Sequence, residues 1–252
     1  MVDPEFEHPM HEEQDVVHVL WTGGWDSTYR VLVLLGQGRK VQPHYLIDNG
    51  RLSTELELKA MESIRACIPV HRSLAKGELL PTRISDKPTA VANNRIYAAY
   101  NEILKEFYVG EQYMWLAEYC ERQGISNMEI GVENNPVVLE AVESTGYPYS
   151  EIFGRFEFPI LSIDKLTMKN WAQGRGLLSV LEQTWFCHRP SRSGRPCGVC
   201  HPCEVSIKGG MGYRLSLKAR VRYWLRITPR LKAFLKQFPR FYHTLYSLKH
   251  NR

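Results

Sequence analysis

A strand, a glycine turn and a helix start follow one another without a gap near the beginning of this chain. Val16-Val17-His18-Val19-Leu20-Trp21 is a short apolar, β-branched run that reads as a buried strand. Thr22-Gly23-Gly24-Trp25-Asp26-Ser27-Thr28 comes next, and Ser27 to Leu35 reads as a helix ended by Gly36 and Gly38. Gly23 and Gly24 let the backbone bend tightly and approach a ligand. The turn feeds a helix N-terminus, whose free N–H groups and dipole favour an anion. Thr22, Ser27 and Thr28 add hydroxyl donors, so the segment predicts a cradle for a pyrophosphate, with ATP the natural ligand. Asp26 would repel phosphate if it pointed inward, so it is assigned to capping the helix or holding Mg²⁺. Two glycines alone are equally well explained by a tight strand-to-helix turn. The missing Lys of a Walker A loop argues against a P-loop NTPase.

The rest of the chain continues the alternation. Val41 to Asp48 reads as a second strand, and Ser53-Thr54-Glu55 offers capping side chains for a helix to about Ala66. Pro69 to His71 is read as a third strand, and the polar stretch Lys76 to Asn94, with Pro81 and Pro88, as a loop over the site. Helices are expected over Glu111 to Gln123, Val137 to Ser144 and Lys165 to Gln173, and strands over Asn127 to Val132 and Phe156 to Leu161. The expected fold class is α/β, a Rossmann-like parallel sheet with helices on both faces. Such sheets bind ligands beyond the carboxyl ends of their strands. The glycine turn lies at that end, and so does Asp48, a candidate for ribose or metal as much as for capping its own turn.

Four of the six cysteines crowd together: Cys187, Cys197, Cys200 and Cys203. Two C-x2-C pairs sharing Cys200 let three thiolates converge from one turn, and Cys187 can close a tetrahedron. Four thiolates suit a structural Zn²⁺. Disulfides and an iron–sulfur cluster use the same residues, and His188 or His201 could replace a ligand. Cys67 and Cys120 fit core positions in helices. No apolar run reaches the length of a membrane span. The acidic start with Pro4 and Pro9 is no secretory leader, so a cytoplasmic location is expected.

Together the glycine turn and the cysteine run resemble the 7-cyano-7-deazaguanine synthase (QueC) family of PP-loop ATP pyrophosphatases. The likeness spans about Val16 to Met211 and includes Ile130-Gly131-Val132 and Phe158-Pro159-Ile160-Leu161 followed by Lys165. Its most specific part is Thr184-Trp185, Phe186-Cys187 and Cys197-Gly198 through Cys203. The resemblance implies ATP cleavage to AMP and pyrophosphate, with adenylation of 7-carboxy-7-deazaguanine. Ammonia then gives an amide, and a second activation gives the nitrile. It also implies a structural zinc and a homodimer. Asp26 and Ser27 would be catalytic. Thr22, Gly23, Gly24, Asp26, Ser27, Thr28 and Asp48 would hold ATP. The chain departs from the family where the substrate should sit: Asp48-Asn49-Gly50-Arg51-Leu52-Ser53, Val109 to Tyr113 and Glu133-Asn134-Asn135-Pro136 replace the family's own segments. A diverged relative that joins a deazaguanine acid to another amine, such as a protein in antiphage defence, is therefore also expected.

The expected layout is a lead-in over 1–14, an ATP pyrophosphatase domain over 15–185, a zinc knuckle over 186–210 and a basic helical extension over 211–252. The net charge of +5 arises in the last part, because no Asp or Glu follows Glu204. Apolar residues from Leu217 to Leu245 recur three and four apart, with Pro229 and Pro239 splitting the stretch. Packing on the core, a nucleic-acid or acidic-protein surface, and membrane-surface binding compete for it. Two other functions fit parts of the pattern: a tRNA-modifying PP-loop enzyme, and a zinc-ribbon nucleic-acid-binding module without catalysis. His71, Arg72, Arg95, Arg155, Arg189 and Arg192 are candidates to face an acidic substrate.

Overall fold

The structure is a computed structural model and describes residues 16–88, 92–133 and 135–227. The lead-in, Asn134 and the part of the basic stretch beyond residue 227, with Pro229 and Pro239, lie outside the described residues.

Among the described residues six strands form one sheet: β1 (Val17–Leu20), β2 (Lys40–Ile47), β3 (Glu78–Leu79), β4 (Arg83–Asp86), β5 (Met128–Ile130) and β6 (Phe156–Glu157). Every pairing is parallel, in the order β3-β2-β1-β5-β6, with β4 also against β2. Helices cover both faces. One face carries α1 (Trp25–Gly36), α2 (Thr54–Cys67), α7 (Lys165–Gly174) and α8 (Leu178–Leu181). The other carries α3 (Asn94–Glu106), α4 (Gln112–Gln123), α5 (Pro136–Glu143) and α6 (Tyr149–Ile152). Two further helices, α9 (His201–Ser206) and α10 (Leu217–Ile227), follow the sheet in sequence.

The period of the strands explains the two layers. Val17, Val19 and Trp21 pack on the first core and Leu20 on the second. Tyr45 and Ile47 face the first core and Leu46 the second. A parallel strand buried on both faces needs apolar side chains at successive positions, and this is the run from which β1 is legible.

Three expectations are corrected. Pro69 to His71 is no strand: Ile68–Val70 is a 3₁₀ turn, with Pro69 in its first turn. The supposed loop Lys76 to Asn94 carries the sheet's edge, β3 and β4. The break between them faces Pro43, which has no N–H to give. The Gln42 side-chain amide donates instead to the Pro81 carbonyl, at 2.8 Å. Ser53 sits at the start of α2 but does not cap it; its hydroxyl donates to Glu57 Oε1 at 2.6 Å. Helix α3, which the sequence reading did not identify, is capped by Asn93, whose side chain accepts from the Arg95 and Ile96 N–H groups.

A polar chain crosses the second core. His44 is fully buried; its Nδ1 meets the Tyr119 hydroxyl at 2.8 Å and its Nε2 meets His18 Nδ1 at 2.9 Å. Burial, then His18 and Arg83, lowers the His44 pKa to about 3. The unfolded chain takes up that proton near pH ~6.5, whereas the native chain refuses it. This group's contribution to stability is therefore complete above that pH and is lost as the pH falls toward 3. Denaturant unfolding between pH 7.5 and 5 is expected to show stability falling by up to roughly 1.4 kcal/mol per pH unit. His44→Leu should lower stability at neutral pH and flatten that slope; an unchanged slope would assign the acid sensitivity to other groups.

Candidate active site and cysteine centre

The glycine turn sits where the strand order reverses, between β1 and its neighbours β2 and β5. Gly23 has φ +66°, and a Cβ there would lie 2.8 Å from the Glu57 carbonyl and 2.9 Å from Met61 Cγ, so both conformation and space demand glycine. Gly24 stands at the N-cap of α1 with no side-chain cap, leaving first-turn N–H groups to an anion. Thr22 and Ser27 are loosely engaged, their hydroxyls 3.5 Å apart. Thr28 is turned away: it is fully buried, and its hydroxyl accepts from the Trp21 indole at 2.9 Å. Gly131, just after β5, completes the turn from behind. A Cβ on it would lie 2.7 Å from the Ser27 nitrogen and 2.9 Å from the Asp26 carbonyl carbon.

A cavity of about 1030 Å³ opens beside this turn, lined by Thr22, Gly24, Trp25, Asp26 and Ser27 and by residues of five later segments. That is at the top of the range for small-molecule sites. Lys165 is buried at its wall and bridges two carboxylates, 2.6 Å from Asp26 Oδ1 and 2.7 Å from Glu133 Oε1. Asp164 caps α7 through the Thr167 N–H at 2.7 Å, which places Lys165 at the first position of that helix. Burial, then the Asp26 charge, pushes the Glu133 carboxyl up, and Lys165 opposes the shift. Glu57, also in the lining, is buried, accepting from the Tyr45 hydroxyl at 2.8 Å and from Ser53, with Arg51 3.7 Å away.

Asp48 does not line this cavity. It belongs to a neighbouring one of about 580 Å³ with Lys87, Tyr97 and Trp115, and its carboxylate accepts from the Gly50 N–H at 3.1 Å. His71, Arg72, Arg95, Arg155, Arg189 and Arg192 are also absent from the larger cavity's wall. Arg95 pairs with Glu151, and Arg155 with Glu121. Glu57, Glu133 and Arg214 do line it, and the sequence reading had not assigned them a role. The available signal for Glu133 was its place just beyond a strand's carboxyl end. Nothing local marks Glu57 or Arg214.

Cys187, Cys197, Cys200 and Cys203 place their sulfurs within 4.8 Å of one another. Sulfurs held ~2.3 Å from a central Zn²⁺ make a tetrahedron with edges of ~3.8 Å. Cys187 to Cys200 is 3.8 Å and Cys197 to Cys203 is 3.9 Å, distances that fit a metal and are too long for disulfides. Backbone N–H groups point at the sulfurs: Cys197 to Cys187 Sγ at 3.2 Å and Cys200 to Cys197 Sγ at 3.3 Å. The neighbouring thiols, Cys187 first, hold the Cys197 thiol far below its ordinary value. His188 and His201 line the cavity and lie outside the cluster. Gly198, at φ +81°, lies against the Ala219 carbonyl, which a Cβ would meet at 2.0 Å. Leu215 and Ala219 pack on the cysteines, so α10 is seated on this knuckle. The knuckle is tied to the glycine turn as well, since the Trp185 N–H donates to the Gly23 carbonyl at 2.9 Å. Among the described residues no helix is long and apolar enough to cross a membrane.

No family model matches the chain, and no curated protein matches it significantly. Among solved structures it is similar to a predicted subunit of tRNA methyltransferase from Methanocaldococcus jannaschii, at 17% identity and a TM-score of 0.35, over 63% of this chain and 74% of that one. It is also similar to a 4-thiouridine synthetase solved with RNA and bound ATP, at 17% identity and a TM-score of 0.40. That match covers 79% of this chain and 50% of the other.

Gly131→Ala should cost roughly 1–3 kcal/mol of stability by overpacking and weaken binding of a non-hydrolysable ATP analogue. Zinc content should stay unchanged, as measured by calorimetry and metal analysis of one preparation. Cys200→Ser should instead strip the zinc and lower the melting temperature, because a site of this kind holds its fold together.

Proposed function

We propose that this chain is an ATP-dependent ligase that adenylates a carboxylate, releases pyrophosphate, and passes the acyl group to nitrogen. The observation that carries the reading is the cavity at the switch point of the sheet. It joins an uncapped helix start, two hydroxyls and the Asp26–Lys165–Glu133 cluster to a space that extends to the cysteine knuckle. A nucleotide alone leaves much of that volume for a second reactant.

The residues divide the work. The N–H groups at the start of α1, with Thr22 and Ser27, hold the terminal phosphates, and Gly23 and Gly131 let the backbones come close enough. Asp26 and Glu133 already share one cation, Lys165, and form the donor pair that would hold Mg²⁺. That ion supplies charge neutralisation on the phosphates. Lys165 adds a fixed positive charge at the same wall. A carboxylate oxygen attacks the α-phosphorus, the bond to pyrophosphate breaks, and an acyl adenylate forms. An amine then attacks the acyl carbon, and AMP leaves. The cysteine centre, as a closed structural site, shapes the far wall and takes no part in bond-making.

The acid proposed is 7-carboxy-7-deazaguanine, with ammonia as the nitrogen source or, in a diverged enzyme, another amine such as a protein. A tRNA-modifying ligase is the second reading, favoured by the exposed Lys218 and Arg220 on α10 beside the knuckle. Sulfur transfer is disfavoured because no cysteine lines the cavity, and burial pushes the Cys120 thiol to about 12.

Incubation with ATP and 7-carboxy-7-deazaguanine, with and without ammonia, should yield AMP and an ammonia-dependent amide by mass spectrometry. Further conversion to the nitrile would assign the complete synthase reaction. Asp26→Asn and Lys165→Ala should each lower AMP release by roughly a hundredfold or more, the scale for losing charge stabilisation at a transferring group, with zinc retained. Absence of AMP with any carboxylate would overturn the ligase and leave a zinc-bearing binding module.

A further inference from the structure

Among the described residues five buried side-chain polar atoms have no hydrogen-bond partner, and three belong to residues lining the larger cavity: Trp25 Nε1, Arg214 Nη1 and Glu133 Oε2. Buried polar atoms are nearly always paired. Their concentration around one cavity marks a place that a bound molecule completes.

Two of the three are donors and are neighbours. Arg214 has only 7% of its side chain exposed. Its guanidinium lies over two rings, 5.2 Å from the centroid of Trp25 and 4.9 Å from that of Phe186. Nη2 is committed to Thr184, donating to its carbonyl and, at 3.0 Å, to its hydroxyl, and to the Glu182 carbonyl at 3.3 Å. Nε faces Glu182 Oε2 at 3.5 Å. Nη1 alone is left over. Trp25, 3% exposed, is the first residue of α1, and its indole N–H is free. The pair thus stands one residue from Asp26, with one cationic and one neutral donor available. Such a pair calls for an oxygen acceptor that carries negative charge.

We propose that Trp25 Nε1 and Arg214 Nη1 form the subsite that grips one oxygen of the substrate carboxylate. The other oxygen is then directed at the α-phosphorus. The inference rests on the adenylation reading and deepens it by naming what positions the acid. Trp25 and Arg214 are positioning residues here. Neither is a residue that carries the family resemblance: Trp25 fills the variable place within the glycine turn, and Arg214 follows the cysteine run.

The test is calorimetric titration of the full chain and of its Trp25→Phe and Arg214→Lys variants. The probes are 7-carboxy-7-deazaguanine, pyrrole-3-carboxylate and a non-hydrolysable ATP analogue. Trp25→Phe keeps a ring and removes only the N–H. Both variants should bind the acids about tenfold more weakly, while the ATP analogue changes by less than about twofold. If Arg214→Lys unfolds, as melting would show, Trp25→Phe decides alone. Acid binding equal to that of the unaltered chain overturns the subsite and leaves the ligase reading standing. Loss of the ATP analogue with acid binding retained overturns it too, by giving the donors to phosphate. Trp25-dependent binding of pyrrole-3-carboxylate without binding of the deazaguanine acid upholds the subsite and removes the named substrate. No binding of either acid by the unaltered chain overturns the subsite.

Discussion

At the switch point of the sheet two backbones touch with no side chain between them. Gly131, just after β5, presses on the Asp26–Ser27 peptide at the start of α1, and Gly23 presses on α2 at the Glu57 carbonyl and the Met61 side chain. Everything in the larger cavity hangs on this close approach. It sets the uncapped helix start level with the carboxyl ends of β1 and β5. It also brings Glu133, two residues past Gly131, within reach of the cation that Asp26 holds. A methyl group at either glycine would shift the helix start relative to Glu133 and Lys165, and its uncapped N–H groups would lose their alignment with those charges. Behind the contact, α1 is fixed by Arg30, whose guanidinium makes two bonds to Glu129 of β5 at 2.6 and 2.7 Å. That pair is largely buried, so removing one partner would strand the other's charge.

How much of this could be read from the chain depends on range. The strand–turn–helix at Val16 to Leu35 was legible because its signals are local: β-branched residues, two glycines, then apolar residues at helical spacing. The four cysteines were legible for the same reason, since three of them fall in seven residues. The edge strands β3 and β4 were not. They are short, half-exposed and interrupted by Pro81, and what makes them strands is pairing with β2, a long-range fact. Pro69-Val70-His71 failed in the opposite sense. Its composition suits a strand, but no strand partner is offered and Pro69 favours a turn.

The site shows the same division. Asp26 and Ser27 were placed at the cavity by their neighbours in sequence, whereas Glu57, Glu133 and Arg214 arrive from three distant segments. Thr28 and Asp48 show where a motif's proximity to a site misleads. Thr28 is in the motif, yet helical rotation by one residue from Ser27 turns its hydroxyl to Trp21 and the core. Asp48 ends a strand at the correct edge of the sheet, yet β2 lies on the far side of β1 from β5, and its carboxylate opens on the neighbouring cavity.

The cysteine knuckle connects these two scales. Its sulfurs gather in a short turn, and the chain on either side of it reaches the larger cavity. Upstream, Trp185 bonds the glycine turn itself. Downstream, Ala219 of α10 and Leu215, just before that helix, pack on the cysteines, and Arg214, next to Leu215, lies over Trp25. The start of the basic stretch is therefore part of the cavity's architecture, and its exposed cations begin only one turn further on, at Lys218 and Arg220. The knuckle thus stands between the two segments that carry Phe186 and Arg214 to the cavity wall. On the reading proposed above, loss of a metal from the knuckle would free both segments at once and would disturb the Arg214 side of the cavity before the start of α1, which rests on the sheet.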